Sequence, residues 1–138
     1  MRTTIAIVVA AVVHWLLGAA WFTYFSSAWI AGTRLSEVEI VAAKAHPSAV
    51  PYVVSLIANL FMAWALLWVL RRIGAVNAAA GAQVGLVLGL CLAAIPMVTE
   101  MVFELRTTKF IVISAMYPLI GCVLMGTIVG AIAAKSAS

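Results

Sequence analysis

His14, Asn59, Glu100, Glu104 and Tyr117 are the side chains whose chemistry stands out in a chain made mostly of apolar residues. His14 falls about halfway along the apolar run from Ile5 to Phe25, and an ionisable group at membrane depth is a candidate for function by default. As an axial haem ligand, a proton relay or a general base it would be a site; hydrogen-bonded across helices to Asn59 or Tyr117 it would be architecture. No second histidine lies in an apolar run to pair with it. On a helix it shares a face with Gly18, Trp21, Phe22 and Phe25. Glu100 and Glu104 are four apart and so share a face. They could form an acid–base pair, a metal site or a proton entry point. Ferritin-like metal sites use Glu-x-x-His, however, and this stretch has no histidine, so no metal is expected. The plainer reading pairs Glu104 with Arg106 or Lys109 at the membrane surface and turns Glu100 inward. The catalytic candidates are therefore His14, Glu100 and Glu104, and the ligand-contacting candidates His14, Trp21, Asn59 and Tyr117.

Several chemistries fall away. A retinal-type Schiff base needs a lysine inside the membrane, and all three lysines lie in loops or the tail. No glycine-rich phosphate loop follows a strand, and no Ser/His/Asp order stands out. No cofactor is expected. Cys91 and Cys122 sit singly in separate apolar runs, with neither metal-ligand nor disulfide spacing, and read as small buried hydrophobes.

The elements that must position these groups follow from composition. With 67% hydrophobic and 9% charged residues and a mean hydropathy of +1.22 over 138 residues, no water-soluble fold could hide the apolar surface. In a bilayer the backbone must satisfy its own hydrogen bonds, which leaves helices or closed barrels. The apolar runs are about twenty residues long, the helical length for a hydrocarbon core of roughly 30 Å. The expectation is an all-α, single-domain integral membrane bundle of four transmembrane helices, over about residues 5–25, 51–70, 78–105 and 110–133. The net charge of +4 reads as basic residues flanking those helices, with the bilayer and not nucleic acid as partner.

Met1 to Thr4 followed by an apolar run has the outline of a signal peptide, but the run is too long for one and is read as the first helix. From Ser26 to Ala49 the composition turns polar. There Ser36 and Glu39 match a capping box, which predicts a short interfacial helix ending before Pro47. In the second helix Ser55 and Asn59 share a face and are expected to hydrogen-bond to another helix. Tyr52, Trp64 and Trp68 read as interfacial anchors. Gly81, Gly85 and Gly89 repeat at fourfold spacing in the third helix, and Gly126 and Gly130 in the fourth. With Gly18, these glycines predict close helix packing, within the chain or against a second copy. Pro96 is expected to kink the third helix, and Lys135 to Ser138 form a polar tail. An even helix number puts both termini on one side. Lys and Arg then divide four against four, while all four glutamates fall on the opposite side, so cytoplasmic termini are expected.

Gly18-Ala19-Ala20-Trp21-Phe22, followed by Phe25 and Trp29, resembles the first-helix signature of the bacterial membrane family of domain of unknown function 1761. The third-helix glycines, Tyr117 and Gly126 resemble its later pattern. The family often carries Pro and a Gly-Lys pair between the two tryptophans, where this chain has Thr23 to Ala28. The resemblance implies a four-helix inner-membrane protein without assigned activity. The residues favour a self-associating bundle or an accessory subunit of a membrane complex, a homo-oligomer or a partner of another membrane protein, over catalysis. The alternatives are a carrier or channel for a small or lipophilic molecule, and a small enzyme acting on a hydrophobic substrate.

Overall fold

A computed structural model describes residues 2–134; the polar tail from Lys135 lies outside the described residues. Among these residues every regular element is helical, and four helices are long and apolar enough to cross a membrane: Arg2–Tyr24, Val50–Arg72, Ala78–Phe103 and Thr108–Ala134. Their lipid-side residues, among them Val8, Val12, Leu16, Phe61, Trp64, Leu86 and Leu92, remain exposed in the folded chain. Leaving such side chains in water costs about 1.5–3 kcal/mol each relative to burying them, so the fold is stable only where hydrocarbon covers them. This is a membrane protein.

The first span, α1 (Arg2–Tyr24), passes through a turn at Phe25 into α2 (Ser26–Gly32). Backbone hydrogen bonding runs through that turn, with the Phe25 N–H donating to Trp21 O at 2.9 Å and the Trp29 N–H to Phe25 O at 2.8 Å. The polar composition from Ser26 onward suggested a loop. The structure makes its first seven residues helical, and this short helix packs on the last span through Trp29 and Gly32, both against Phe110. α3 (Glu37–Ala45) carries the full capping box, Ser36 accepting from Glu39 N–H while the Glu39 carboxylate accepts from Ser36 N–H. It packs on no other helix.

α4 (Val50–Arg72) opens with Pro51 in its first turn, where a missing N–H costs nothing. Ile73 caps its end, and Gly74, at φ +67°, turns the chain just beyond. The third span is α5 (Ala78–Leu88), capped by the Asn77 side chain accepting from Ala80 N–H at 2.9 Å, then a π-helical segment Gly89–Ala94, then α6 (Ile95–Phe103). Pro96 was expected to produce a kink. The structure answers it with wider hydrogen bonding just upstream, a local adjustment that re-satisfies groups displaced by proline. α7 (Thr108–Ala134) contains Pro118, which has no N–H for the Ser114 carbonyl.

α7 is the centre of the bundle, touching every other element except α3, and its pairing with α5 is the most extensive. The glycines explain that pairing. A Cβ on Gly81 would stand 2.6 Å from the Gly126 carbonyl carbon, and one on Gly126 would stand 2.9 Å from that of Gly81. Gly85 lies against the Cys122 carbonyl and Gly130 against that of Asn77, while Gly89 faces the Cys122 side chain, whose Cβ a methyl there would meet at 2.8 Å. The two glycine faces meet each other inside one chain, backbone on backbone. On the other side of α7, the half of the bundle nearest the termini is solidly packed: Ala10 and Ala11 of α1, Leu66 and Leu70 of α4, and Met125 and Val129 of α7 are all fully buried.

Candidate functional site

The opposite half of the same three helices is not filled. Between the last turns of α1, the first turns of α4 and the middle of α7 lies a half-open cavity of about 580 Å³. Its floor is Tyr117, with Gly18 and Phe22; its flanks are Trp15, Ala19 and Thr23 from α1 and Pro51, Tyr52 and Ser55 from α4, with Ser26 at the mouth. Exposed Ala19, Thr23, Pro51 and Tyr52 border the opening, so it faces sideways between α1 and α4, toward lipid, on the side of the α2–α3 connection.

The absence of a side chain at Gly18 makes room for Tyr117. A Cβ there would stand 2.7 Å from the Tyr117 hydroxyl oxygen, so the phenol in this position uses the room that glycine leaves on α1. The ring itself is fixed by a row of aromatics. His14 lies at 5.0 Å between centroids on one side and Phe22 at 5.2 Å, edge-on, on another. Phe22 meets Trp29 at 5.6 Å, and Trp29 stacks on Phe110 at 6.3 Å. Beyond the membrane end, the Arg106 guanidinium lies 5.2 Å over Phe110. The aromatic stretch of α1 and α2 is therefore one side of a row that runs from mid-bundle to the surface.

His14 stands immediately behind the floor, only 6% exposed. Its expected hydrogen bond across helices is not made: neither ring nitrogen has a partner among the described residues. Tyr117 meets it with the ring and not with the hydroxyl, and the imidazole edge is set against Gly121, where a Cβ would stand 2.8 Å from its Cε1. A buried polar group without a partner costs about 1–3 kcal/mol in water-based comparisons. The cost against a helix already in lipid is smaller, because that reference state lacks water too. The Asn59 amide nitrogen is likewise buried and unpartnered, and Ser55 donates to the Tyr52 carbonyl of its own helix at 2.9 Å. The interhelical bond expected of this pair is thus replaced by a local one. Trp21 does not line the cavity; its indole N–H donates to Ile113 O at 3.0 Å and ties α1 to α7.

The two glutamates do not join this site. Glu100 is exposed on α6 and not turned into the bundle, because π-segment Gly89 and Ala94, not the Glu100 face, carry the third span's burial at this end. Glu104 sits beyond the span in a clasp: Arg106 Nε donates to its carboxylate at 2.8 Å, Arg106 Nη1 to Gly32 O at 3.0 Å, and Arg34 to the Glu104 carbonyl. The hydrogen bond from Arg106 holds the Glu104 carboxyl below the ordinary carboxylate range, against a smaller opposing effect of burial. Leu105, at φ +56°, makes the reversal into α7. No group of three or more metal-ligating side chains occurs among the described residues.

The model of the family described as "Protein of unknown function (DUF1761)" matches residues 5–130. The chain belongs to this family. The match takes in the second and third spans of this DUF1761 member whole, the first from Ile5, the fourth as far as Gly130, and every residue of the cavity. No curated protein and no solved structure matches the chain significantly. Nothing in the sequence announced the cavity itself. Its lining residues are ordinary membrane types, and although Gly18, Phe22, Tyr52, Ser55 and Tyr117 each stand out in the sequence for a reason of their own, nothing there joins them into one cavity.

Proposed function

We propose that this protein is a multi-pass component of the bacterial inner membrane that binds a small lipophilic molecule in the cavity between α1, α4 and α7, and holds or carries it within the bilayer. The observation that carries this reading is the cavity: protein interiors are close-packed, yet about 580 Å³ is left open between three spans with the hydroxyls of Thr23, Ser26, Ser55 and Tyr117 gathered around it, whereas the more open hollows of about 400–450 Å³ elsewhere on the bundle are almost wholly apolar. That volume is of the size that takes a drug-sized ligand. With all four glutamates on the α3 and α6–α7 side, the termini are assigned to the cytoplasm, and the cavity then faces the outer leaflet.

Self-association and an accessory role lose their main support, because the glycine faces that favoured them are occupied within the chain. An enzymatic reading has little to draw on, since His14 lacks a hydrogen-bonded partner and the two glutamates stand apart from it. The test is native mass spectrometry of the protein taken from its membranes in mild detergent. Wild type should carry a non-covalent lipophilic adduct on a monomer, and Ala19→Phe, which grows into the cavity from its exposed flank, should lose it. An adduct unchanged by Ala19→Phe, or none in wild type, contradicts the proposal.

A further inference from the structure

The polar groups around the cavity are few enough to say what kind of head group they suit. No Asp, Glu, Lys, Arg or His side chain lines it. A charged head group brought there would find no counter-ion, and an unpaired charge in a site of this kind is strongly disfavoured. The donors and acceptors are also unequally spent. Trp15 donates its indole N–H to the Tyr52 carbonyl at 3.0 Å, and Ser55 donates its hydroxyl to the same oxygen. That carbonyl, the backbone acceptor among the lining residues, is thereby saturated. The hydroxyls of Tyr117, Thr23 and Ser26 make no hydrogen bond among the described residues. Each of these hydroxyls can donate one hydrogen bond and can also accept, so three donors are free in a site whose Tyr52 carbonyl is used.

Tyr117 is the best placed of the three. Its ring is held between the buried His14 imidazole and the edge of Phe22, and its oxygen is brought to the floor through the gap at Gly18. A donor fixed before the ligand arrives loses little entropy on binding. His14, more than nine-tenths buried, backs the Tyr117 ring at 5.0 Å between centroids. The remaining walls, Ala19, Phe22 and the Pro51 ring, are apolar and open to lipid.

Resting on the cavity reading above, we propose that the occupant is an uncharged lipophile with a hydrogen-bond-accepting head group, such as a carbonyl oxygen, which receives the Tyr117 hydroxyl while its tail leaves between α1 and α4. The test uses the full chain in detergent and three tritiated probes of matched tail: dodecyl methyl ketone, dodecanoate and dodecylammonium. Saturable binding of the ketone is expected, with both charged probes at least about tenfold weaker. Tyr117→Phe keeps the aromatic row and removes only the donor, so it should weaken the ketone about fivefold to tenfold, the worth of one hydrogen bond. Gly18→Ala, which crowds the hydroxyl, should weaken it similarly. Equal binding of all three probes, if abolished by Ala19→Phe, overturns the head-group assignment and leaves the cavity reading standing. Tyr117→Phe and Gly18→Ala both binding as wild type has the same consequence. Saturable binding of none of the probes overturns both.

Discussion

Substituting Gly126 by alanine tests the packing on which the whole bundle rests. A methyl at Gly126 would stand 2.9 Å from the Gly81 carbonyl carbon, and closer still to its oxygen, whereas carbon atoms in contact prefer about 3.5–4.0 Å. The obstacle is backbone on both sides, so no side chain can swing away. α5 and α7 must part by roughly 1 Å, and a gap of that order forfeits a quarter to a half of the dispersion energy of each contact it opens. Overpacking of this kind costs about 1–3 kcal/mol. Alanine is the better helix former by up to about 1 kcal/mol, which offsets part of the loss. The net expectation is a destabilisation of about 1–2 kcal/mol, with Gly85→Ala similar because it meets the Cys122 carbonyl. Unfolding in a mixed-micelle SDS titration, followed by helical circular dichroism, measures it. If the glycines merely reflected membrane composition, helix propensity would prevail, and both variants would match or exceed wild type. That result would refute the reasoning.

Two further outcomes follow from the same geometry. Gly121→Ala should destabilise the fold by driving a methyl into the imidazole of His14, and His14→Ala in the same chain should recover part of the loss, a coupling read by a double-mutant cycle; strict additivity would show that the two residues do not meet. The Glu39 carboxyl is held below its ordinary value by hydrogen bonds from the Ser36 hydroxyl and backbone. A depressed folded-state value means that this contribution is present above the unfolded carboxylate range and is lost as pH falls through the folded value. Residue-specific NMR titration should therefore place Glu39 low in wild type and return it upward in Ser36→Ala, and an identical titration in both would contradict the cap.

Much of this fold is legible in the residues. The four apolar runs dictate four spans, since lipid permits little else, and the cap at Ser36 is legible because its two partners are only three residues apart. The spacing of Gly81, Gly85 and Gly89 is visible in the chain; the helix they meet is not, because a glycine face fits α7 or a second copy equally well until the loops fix which is nearer. The π-helical segment escaped because Pro96 acts on the hydrogen-bond register upstream of itself, at Gly89–Ala94. α2 escaped because Ser26 and Ser27 read as loop, while the packing of Trp29 on Phe110 that holds it spans distant parts of the chain. Glu100 reads as inward-facing because it lies nearer the core than Glu104, but the wider turns of the π segment change which face of α6 meets α7. The cavity is the hardest feature to foresee. It is a property of where side chains stop, and only Gly18, through the room it leaves for Tyr117, marks it in the sequence.

The most direct measurement of the central claim, that a lipophile occupies the α1–α4–α7 cavity, is photolabelling in native membranes. A dodecyl ketone bearing a diazirine in its tail would be cross-linked and the modified residue found by peptide mass spectrometry. Labels are expected on Ala19, Phe22, Tyr52 or Ser55, competed by unlabelled ketone. A second groove of about 400 Å³, lined by Val98, Ile111 and Met116 beside the π segment, offers the contrasting site. Labels there, or spread without competition over the lipid-facing surface, would contradict the account.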